Sequence, residues 1–474
     1  MALFATPRCP RSNGSNDPYP VTAHPMTDHS PPRTPPPPPP PSRAVPTGRL
    51  SRFTKLGGLA TGLAARAAAG RARAALTGQR PDMAQILMTQ ANLSRIADRL
   101  SEMRGAAMKL GQLLSMETGD VLPPELSHIL ARLRADADAM PPGQLKQVLS
   151  DAYGPDFRRH FRSFDTRPIA AASIGQVHRA QAKDGMRLAL KVQYPGIRTS
   201  IDSDLDNVAG LIRWTGLWPR ELDLGPVMAE ARRQLHEEAD YDREGRYLAR
   251  FGTVLADDPR FVVPVHRPDL STRDVLAMRF EPSVPIEALA EANTATRDAA
   301  ASALIELCLC ELFDFRLMQT DPNFANYRWR AETGQIVLLD FGATREIPAA
   351  LADGHRRLLR AGLDGMREDI LAELERIGFI KPGLSEAHCA AILDMAEMGF
   401  AALRGPEPFD FATSRLAEEL RARGQVIGQE RDLWHIPPAD TLFLQRKIGG
   451  LYLLATRLGA RVDLPRLARR FAGG

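Results

Sequence analysis

DPNFANYRWRAETGQIVLLDFG, residues 321–342, decides how the chain is read. An Asp is followed five positions later by an Asn, and an Asp-Phe-Gly begins fourteen positions after that. Phosphoryl transfer asks a protein for positioning and charge stabilisation more than for covalent chemistry. Asp321 is placed to orient a nucleophile. Asn326 and Asp340 offer the hard oxygens that Mg2+ accepts. Residues 327–330 and 335–340 read as two strands around Ala-Glu-Thr-Gly, a turn with glycine where a left-handed residue is easiest. Such a hairpin brings Asn326 and Asp340 together at one end. DFG alone is three common residues at a strand end; the D-x4-N upstream gives it weight.

A phosphate-facing element lies further upstream. Residues 170–177 read AAASIGQV, where kinase loops over ATP read G-x-G-x-x-G-x-V. Ala170 and Ala172 replace the first two glycines, whereas Gly175 and Val177 keep their places; Ala171 and Ser173 lie between them. Glycine there lets backbone amides approach phosphate, so two alanines predict a stiffer, narrower loop. After a Lys-Asp-Gly turn at 183–185, residues 187–193 read as a strand ending in LALKVQ. Its Lys191 matches the strand lysine that meets nucleotide phosphates and a helix glutamate. Residues 226–250 read as one long charged helix, with Glu237, Glu238, Asp240 and Glu244 all candidates for that glutamate. Glu238 and Asp240 point to different sides of a regular helix, so either only one faces the site or the helix starts or bends there. Residues 261–264 and 275–280 read as strands, the second a connector between lobes. Residues 294–315 read as an apolar helix, and the chain after DFG as helices with loops.

Composition bounds the rest. The chain has 474 residues, 44% hydrophobic and 25% charged, which is enough to bury one large or two smaller cores. A net charge of +4 is too slight to argue for nucleic acid. Cys9, Cys308, Cys310 and Cys389 form no metal-like cluster, and buried free thiols are the expectation for the middle pair. No run of 18 apolar residues occurs, and the start lacks a signal-peptide layout. Residues 1–50 carry a run of prolines at 35–41 and read as an extended or disordered tail. Gly58 and Gly62 in the Ala- and Leu-rich stretch 56–78 make it a candidate for a helix on a membrane surface or a partner. Arg66 falls beside Leu59 and Leu63 on the wheel, which weakens that amphipathicity.

Residues 83–116 read as helical, with an apolar stripe through Ile96, Leu100, Met103, Ala107, Leu110 and Leu114. Lys109 and Gln112 share the opposite face, where solvated side chains are the ordinary reading. A further helical segment is expected over 124–149.

Taken together, these strings resemble the UbiB/AarF atypical kinases, and most of all the branch of the mitochondrial ubiquinone-biosynthesis kinase. RGAAMKLGQLLS (104–115) resembles the family's K-x-G-Q signature and AAASIGQVH (170–178) its alanine-rich loop. KVQYPGI (191–197) resembles its lysine strand and EADYDRE (238–244) its E-x-D motif. QTDPNFAN and LLDFGATRE resemble its catalytic and metal segments, and RKIGG (446–450) falls where that branch has a similar string. The resemblance implies an α+β, two-lobed kinase-like fold with an N-terminal helical extension over the active site. It implies a tail at 1–50, the K-x-G-Q extension at 51–150, an N-lobe at 151–284 and a helical C-lobe at 285–474. It assigns Glu244 to Lys191, and it brings Lys109 and Gln112 into the cleft towards Glu238 and Asp240. It implies ATP and Mg2+ as cofactors, ATPase-like behaviour, and a role in quinone-lipid biosynthesis. The partners it implies are a quinone-precursor lipid, other proteins of that pathway and a second copy of the chain. The expected location is the cytoplasm, peripheral on the inner membrane. Departures occur at Gly245 and Tyr247, where Ala and Asn are frequent, and in the connector at Arg279, Pro282 and Ser283.

Overall fold

The computed structural model describes residues Gly105, Ala106 and Lys109, then 139–215, 225–405, 408–428 and 439–473. The proline-rich tail, the stretch 56–78, the stripe from Ile96, Gln112 and residues 124–138 lie outside the described residues.

Helix α1 (Pro142–Tyr153) precedes three antiparallel strands, β1 (Phe161–Ala171), β2 (Gly175–Ala182) and β3 (Arg187–Gln193). Alternation along β3 sets the layering. Leu188, Leu190 and Val192 are fully buried with Leu145 and Leu149 of α1, so Ala189 and Lys191 point to the other face. Helices α2 (Ile197–Thr215), α3 (Gly225–Glu238) and α4 (Tyr241–Val254) follow, then β4 (Phe261–Val262) and β5 (Val275–Arg279), which completes the sheet in the order β1-β2-β3-β5.

The expected single helix over 226–250 is therefore two helices. The chain breaks at Ala239 and Asp240, and Gln193 Nε2 donates to the Ala239 oxygen at 2.6 Å, pinning the break to the end of β3. Asp240 then caps α4, its carboxylate accepting from Arg243 N at 3.0 Å.

The second lobe opens with β6 (Val284–Pro285) and α5 (Thr294–Phe313), the latter capped by Asn293 and ending two residues before the expected limit. Strand β7 (Leu317–Gln319) leads into the hairpin β8 (Tyr327–Arg330) and β9 (Gln335–Leu338). That hairpin sits in a sheet ordered β4-β9-β8-β6, so β4 serves the hairpin and not the first sheet. Strand β10 (Thr344–Glu346) pairs with β7. Helices α6 (Ala349–Asp364), α7 (Arg367–Arg376) and α8 (Glu386–Arg404) follow, then β11 (Phe409–Asp410), α9 (Leu416–Gly428), α10 (Ala439–Leu458), β12 (Arg461–Val462) and α11 (Leu464–Ala472). The region after DFG thus includes the short strands β10, β11 and β12 among the expected helices; β11 and β12 pair with each other. Cys308 and Cys310 are buried on α5 as reduced thiols, outside any disulfide.

Candidate active site

The hairpin places Asn326 and Asp340. Tyr327 pairs with Leu338, and Leu339 N donates to the Asn326 oxygen at 2.8 Å, so Asn326 and Asp340 leave the same end of the ladder. Asn326 Nδ2 donates to Asp321 Oδ2 at 3.0 Å, which leaves the Asn326 side-chain oxygen for a metal. Asp340 stands in the left-handed region at φ 61°, a conformation Asp tolerates better than most residues. Phe341 anchors the turn by packing on Phe251 of α4, ring centroids 4.8 Å apart. Arg243, also on α4, donates to the carbonyls of Gly342 and Thr344 and holds the loop from outside.

Lys191 meets two acids. Its ammonium lies 2.9 Å from Glu244 Oε2 and 3.3 Å from Asp340 Oδ2. Glu244 faces it because Tyr241, Glu244, Gly245, Leu248 and Phe251 form the buried stripe of α4 once the helix starts at 241. Burial drives the Glu244 carboxyl up to about 7; Lys191 opposes this and the Asp340 charge adds to it. At Asp340 burial also raises the carboxyl, but Lys191, the Gly342 N–H and Lys109 outweigh it and hold the group below the ordinary range. Burial works against the Lys191 charge, yet Asp340 and Glu244 keep its pKa well above normal.

The native state binds the Glu244 proton more tightly than the unfolded chain does, so this group stabilises the fold fully below its ordinary 4.5. The contribution is lost as pH rises towards about 7 and is constant above it. The difference in Tm between wild type and Glu244→Gln, measured by scanning calorimetry, should therefore fall across that window and level off above it. A flat difference would contradict the assignment.

The alanine-rich segment is a hairpin turn and not an open loop. Ala170 and Ala171 end β1, Ala172 N donates to the Gly175 oxygen at 2.8 Å, and Gly175 and Val177 begin β2. Gly175 is required by close approach: a Cβ there would lie 2.5 Å from the Val192 oxygen. Ser173 Oγ points back to Glu238, 3.3 Å from Oε2. Restoring glycine at Ala170, within β1, should cost about 0.5–1 kcal/mol, and glycine there or at Ala172 in the turn should change the preference between ATP and ADP. Calorimetry with both nucleotides checks this; unchanged affinities and turnover in both variants would remove the turn from the phosphates.

Lys109 is buried and its ammonium pairs with Glu238 at the end of α3; the two side chains are 6% and 21% exposed. Thr320, Asp321, Ala343 and Arg345 line the cleft beside that pair. Asp240, expected as a second partner of Lys109, gives its carboxylate to the N-terminus of α4, because the helix break turns it away from the α3 face. Sequence reasoning missed Arg243, although it lies inside EADYDRE, and Gln319, whose Nε2 donates to the Asp340 backbone oxygen at 3.3 Å.

The departures have local reasons. A Cβ on Gly245 would lie 2.7 Å from the His266 ring, and Tyr247 receives the Arg243 guanidinium over its ring at 4.8 Å. In the connector, Arg279 is paired with the buried Glu281, and Ser283 accepts from Arg328 Nε at 3.0 Å.

The ABC1 atypical kinase-like domain matches residues 132–372 of this chain. The chain belongs to the ABC1 atypical kinase family. Within it, the chain is 36% identical over 432 residues to the atypical kinase COQ8, mitochondrial, of Saccharomyces cerevisiae, covering 90% of this chain and 85% of that one. It is 35% identical over 427 residues to COQ8B, mitochondrial, of Danio rerio, covering 88% and 68%. The expected UbiB/AarF membership and its mitochondrial-kinase branch are thereby borne out. Among solved structures, the complex of Rv3197 with erythromycin from Mycobacterium tuberculosis is 25% identical with a TM-score of 0.56, covering 81% of this chain and 96% of that one. The two-lobed kinase-like fold agrees with both. Among the described residues no helix is long and apolar enough to cross a membrane.

Proposed function

We propose that this chain is a Mg-ATP-dependent ATPase of the atypical kinase family that supports quinone-lipid biosynthesis. The observation that carries the reading is the buried Lys109, paired with Glu238 at the cleft that Asp321 also lines. An ordinary protein substrate needs that space for its hydroxyl; with it occupied, water or a small lipid-like molecule is the acceptor. Lys191 is set to neutralise phosphate oxygens, with Glu244 holding its ammonium in place. Asp321 orients the attacking oxygen, its own carboxylate fixed by Asn326. The donor set fits Mg2+, which is bound through one or two carboxylates plus phosphate and water: Asp340 has a 38%-exposed carboxylate and Asn326 a side-chain oxygen to offer. Mg2+ held there would offset charge on the transferring phosphate.

Quinone precursors, pathway proteins, a second copy of the chain and contact with the face of a membrane complete the reading; the relatives' names place them in mitochondria. Phosphate release from Mg-ATP is measured with and without vesicles and a quinone-precursor-like phenolic lipid. Stimulation by either supports the reading. Release that neither one alters removes the lipid from it.

A further inference from the structure

Arg446, the first residue of the string RKIGG (446–450), lines the cleft beside Lys109 and Asp321, and the rest of the string lies beneath it. Lys447 of α10 is 2% exposed. Its ammonium donates to the Gln319 backbone oxygen at 2.8 Å and to Gln319 Oε1 at 3.2 Å. Its counter-charge is Glu311 of α5, with Oε2 at 3.2 Å and equally buried. The other Glu311 oxygen accepts from Gln319 N at 3.4 Å. With its amide oxygen turned to Lys447, Gln319 presents its NH2 to the Asp340 backbone oxygen at 3.3 Å. One side chain thus joins the strand that leads into Asp321 to the loop that carries Asp340. Three residues along α10, Gly450 lies under the next part of the same loop. A Cβ there would fall 2.2 Å from the Pro322 side chain and 3.2 Å from its oxygen. Asp321 is therefore flanked on both sides by residues seated on one helix.

Packing alone does not explain a charged pair here, since replacing a buried ion pair by apolar groups is often neutral or stabilising. An ammonium has three donors, and it reaches two Gln319 oxygens and a carboxylate that no apolar side chain could satisfy. Burial opposes the Lys447 charge, but Glu311 and Tyr327 keep its pKa raised.

We propose that α10 is the seat of the phosphoryl-transfer loops, with Lys447 a positioning residue that acts through Gln319 to fix Asp321 relative to Asp340. This rests on the reading of the site as one that turns over Mg-ATP. Two variants test it. Glu311→Gln combined with Lys447→Met removes both charges together, so neither is left buried alone. Gln319→Met cuts the link and leaves the ion pair in place. Each is compared with wild type in thermal unfolding, Mg-ATP affinity, kcat and KM for phosphate release, and hydrogen exchange. The expected result is a kcat lowered about 10- to 100-fold in both, as misplaced catalytic groups give, with Mg-ATP affinity changed by less than about threefold. Exchange should rise over 317–327 and 338–344 and stay unchanged in β1, β2 and β3. A wild-type kcat in either folded variant, even with a lowered Tm, overturns the proposal. If wild type itself neither binds nor hydrolyses Mg-ATP, the reading of the site fails. Exchange over the two loops that stays at the wild-type level in both variants overturns the seat independently of turnover.

Discussion

Asp340→Asn should abolish Mg-dependent turnover and leave the fold in place. The backbone there is left-handed, and Asn accepts that conformation as readily as Asp. The side chain keeps its size and keeps an oxygen for the Gly342 N–H, which now bonds Asp340 Oδ1 at 3.1 Å. What disappears is the charge. Asp340 is the acid that Lys191, the Gly342 amide and Lys109 together keep ionised against burial, so the site is built around an anion at this position. A metal held by Asp340 would lose its charged protein ligand, which we expect to cost about 10³-fold or more in turnover, or roughly 4 kcal/mol of transition-state stabilisation. Nucleotide-dependent thermal stabilisation, which at a ligand concentration of about 100 times Kd amounts to ~2.7 kcal/mol, should vanish with Mg2+ present. The Glu244 titration should move down as well, because the Asp340 charge helps hold it up. Mg-ATP affinity unchanged by calorimetry would contradict the metal assignment.

Lys109→Ala has the second large effect, and it acts in two directions. The ammonium is buried against Glu238, which is itself 21% exposed. Loss of the lysine leaves a carboxylate that water can partly reach, so the stability cost should be about 1–3 kcal/mol, below the ~3–5 of a fully buried pair. Ser173 Oγ remains as a partner for Glu238 but carries no charge. Asp340 loses one of the cations that hold it ionised. ATPase activity should therefore change, and the space vacated beside Asp321 should admit a hydroxyl from a protein, raising autophosphorylation. A solvated surface lysine would give a variant within about 0.5 kcal/mol of wild type and with the same kinetics. Calorimetry, phosphate release and radiolabel incorporation, run side by side, separate the two; three matching results would return Lys109 to a surface role and revive a protein substrate.

The parts of this molecule legible in its sequence are those whose chemistry is local. The D-x4-N and DFG segments lie on one hairpin, and alternation in LALKVQ already puts Lys191 opposite the buried Leu190 and Val192. Glu244 was harder. On an unbroken helix from 226 the acids at 237, 238, 240 and 244 compete, and only the break at Ala239 and Asp240 resets the phase so that Glu244 joins Tyr241, Leu248 and Phe251. The signal was present in the Asp-Tyr pair that opens the second helix, as an N-cap followed by a buried aromatic. Asp240 comes to the cleft by resemblance alone; the residues leave open that the helix starts or bends there, and in the structure its carboxylate caps the second helix. The Lys447–Glu311–Gln319 cluster was not legible, because 128 residues separate Lys447 from Gln319. Its one local trace is a glutamate within the apolar run of α5, where an unpaired charge would be too costly to bury. Lys109 was placed by resemblance, not by its wheel, which puts it opposite the apolar stripe of its own helix.

Hydrolysis of ATP behind a closed cleft is tested by mixing wild type with Mg2+ and ATP labelled on the γ-phosphate and following the label through a single turnover. The label is expected to leave as free inorganic phosphate, faster when a quinone-precursor-like lipid is present, with little or none on the protein. Label accumulating on the protein in stoichiometric amount, or label remaining in ATP under every condition, would contradict it.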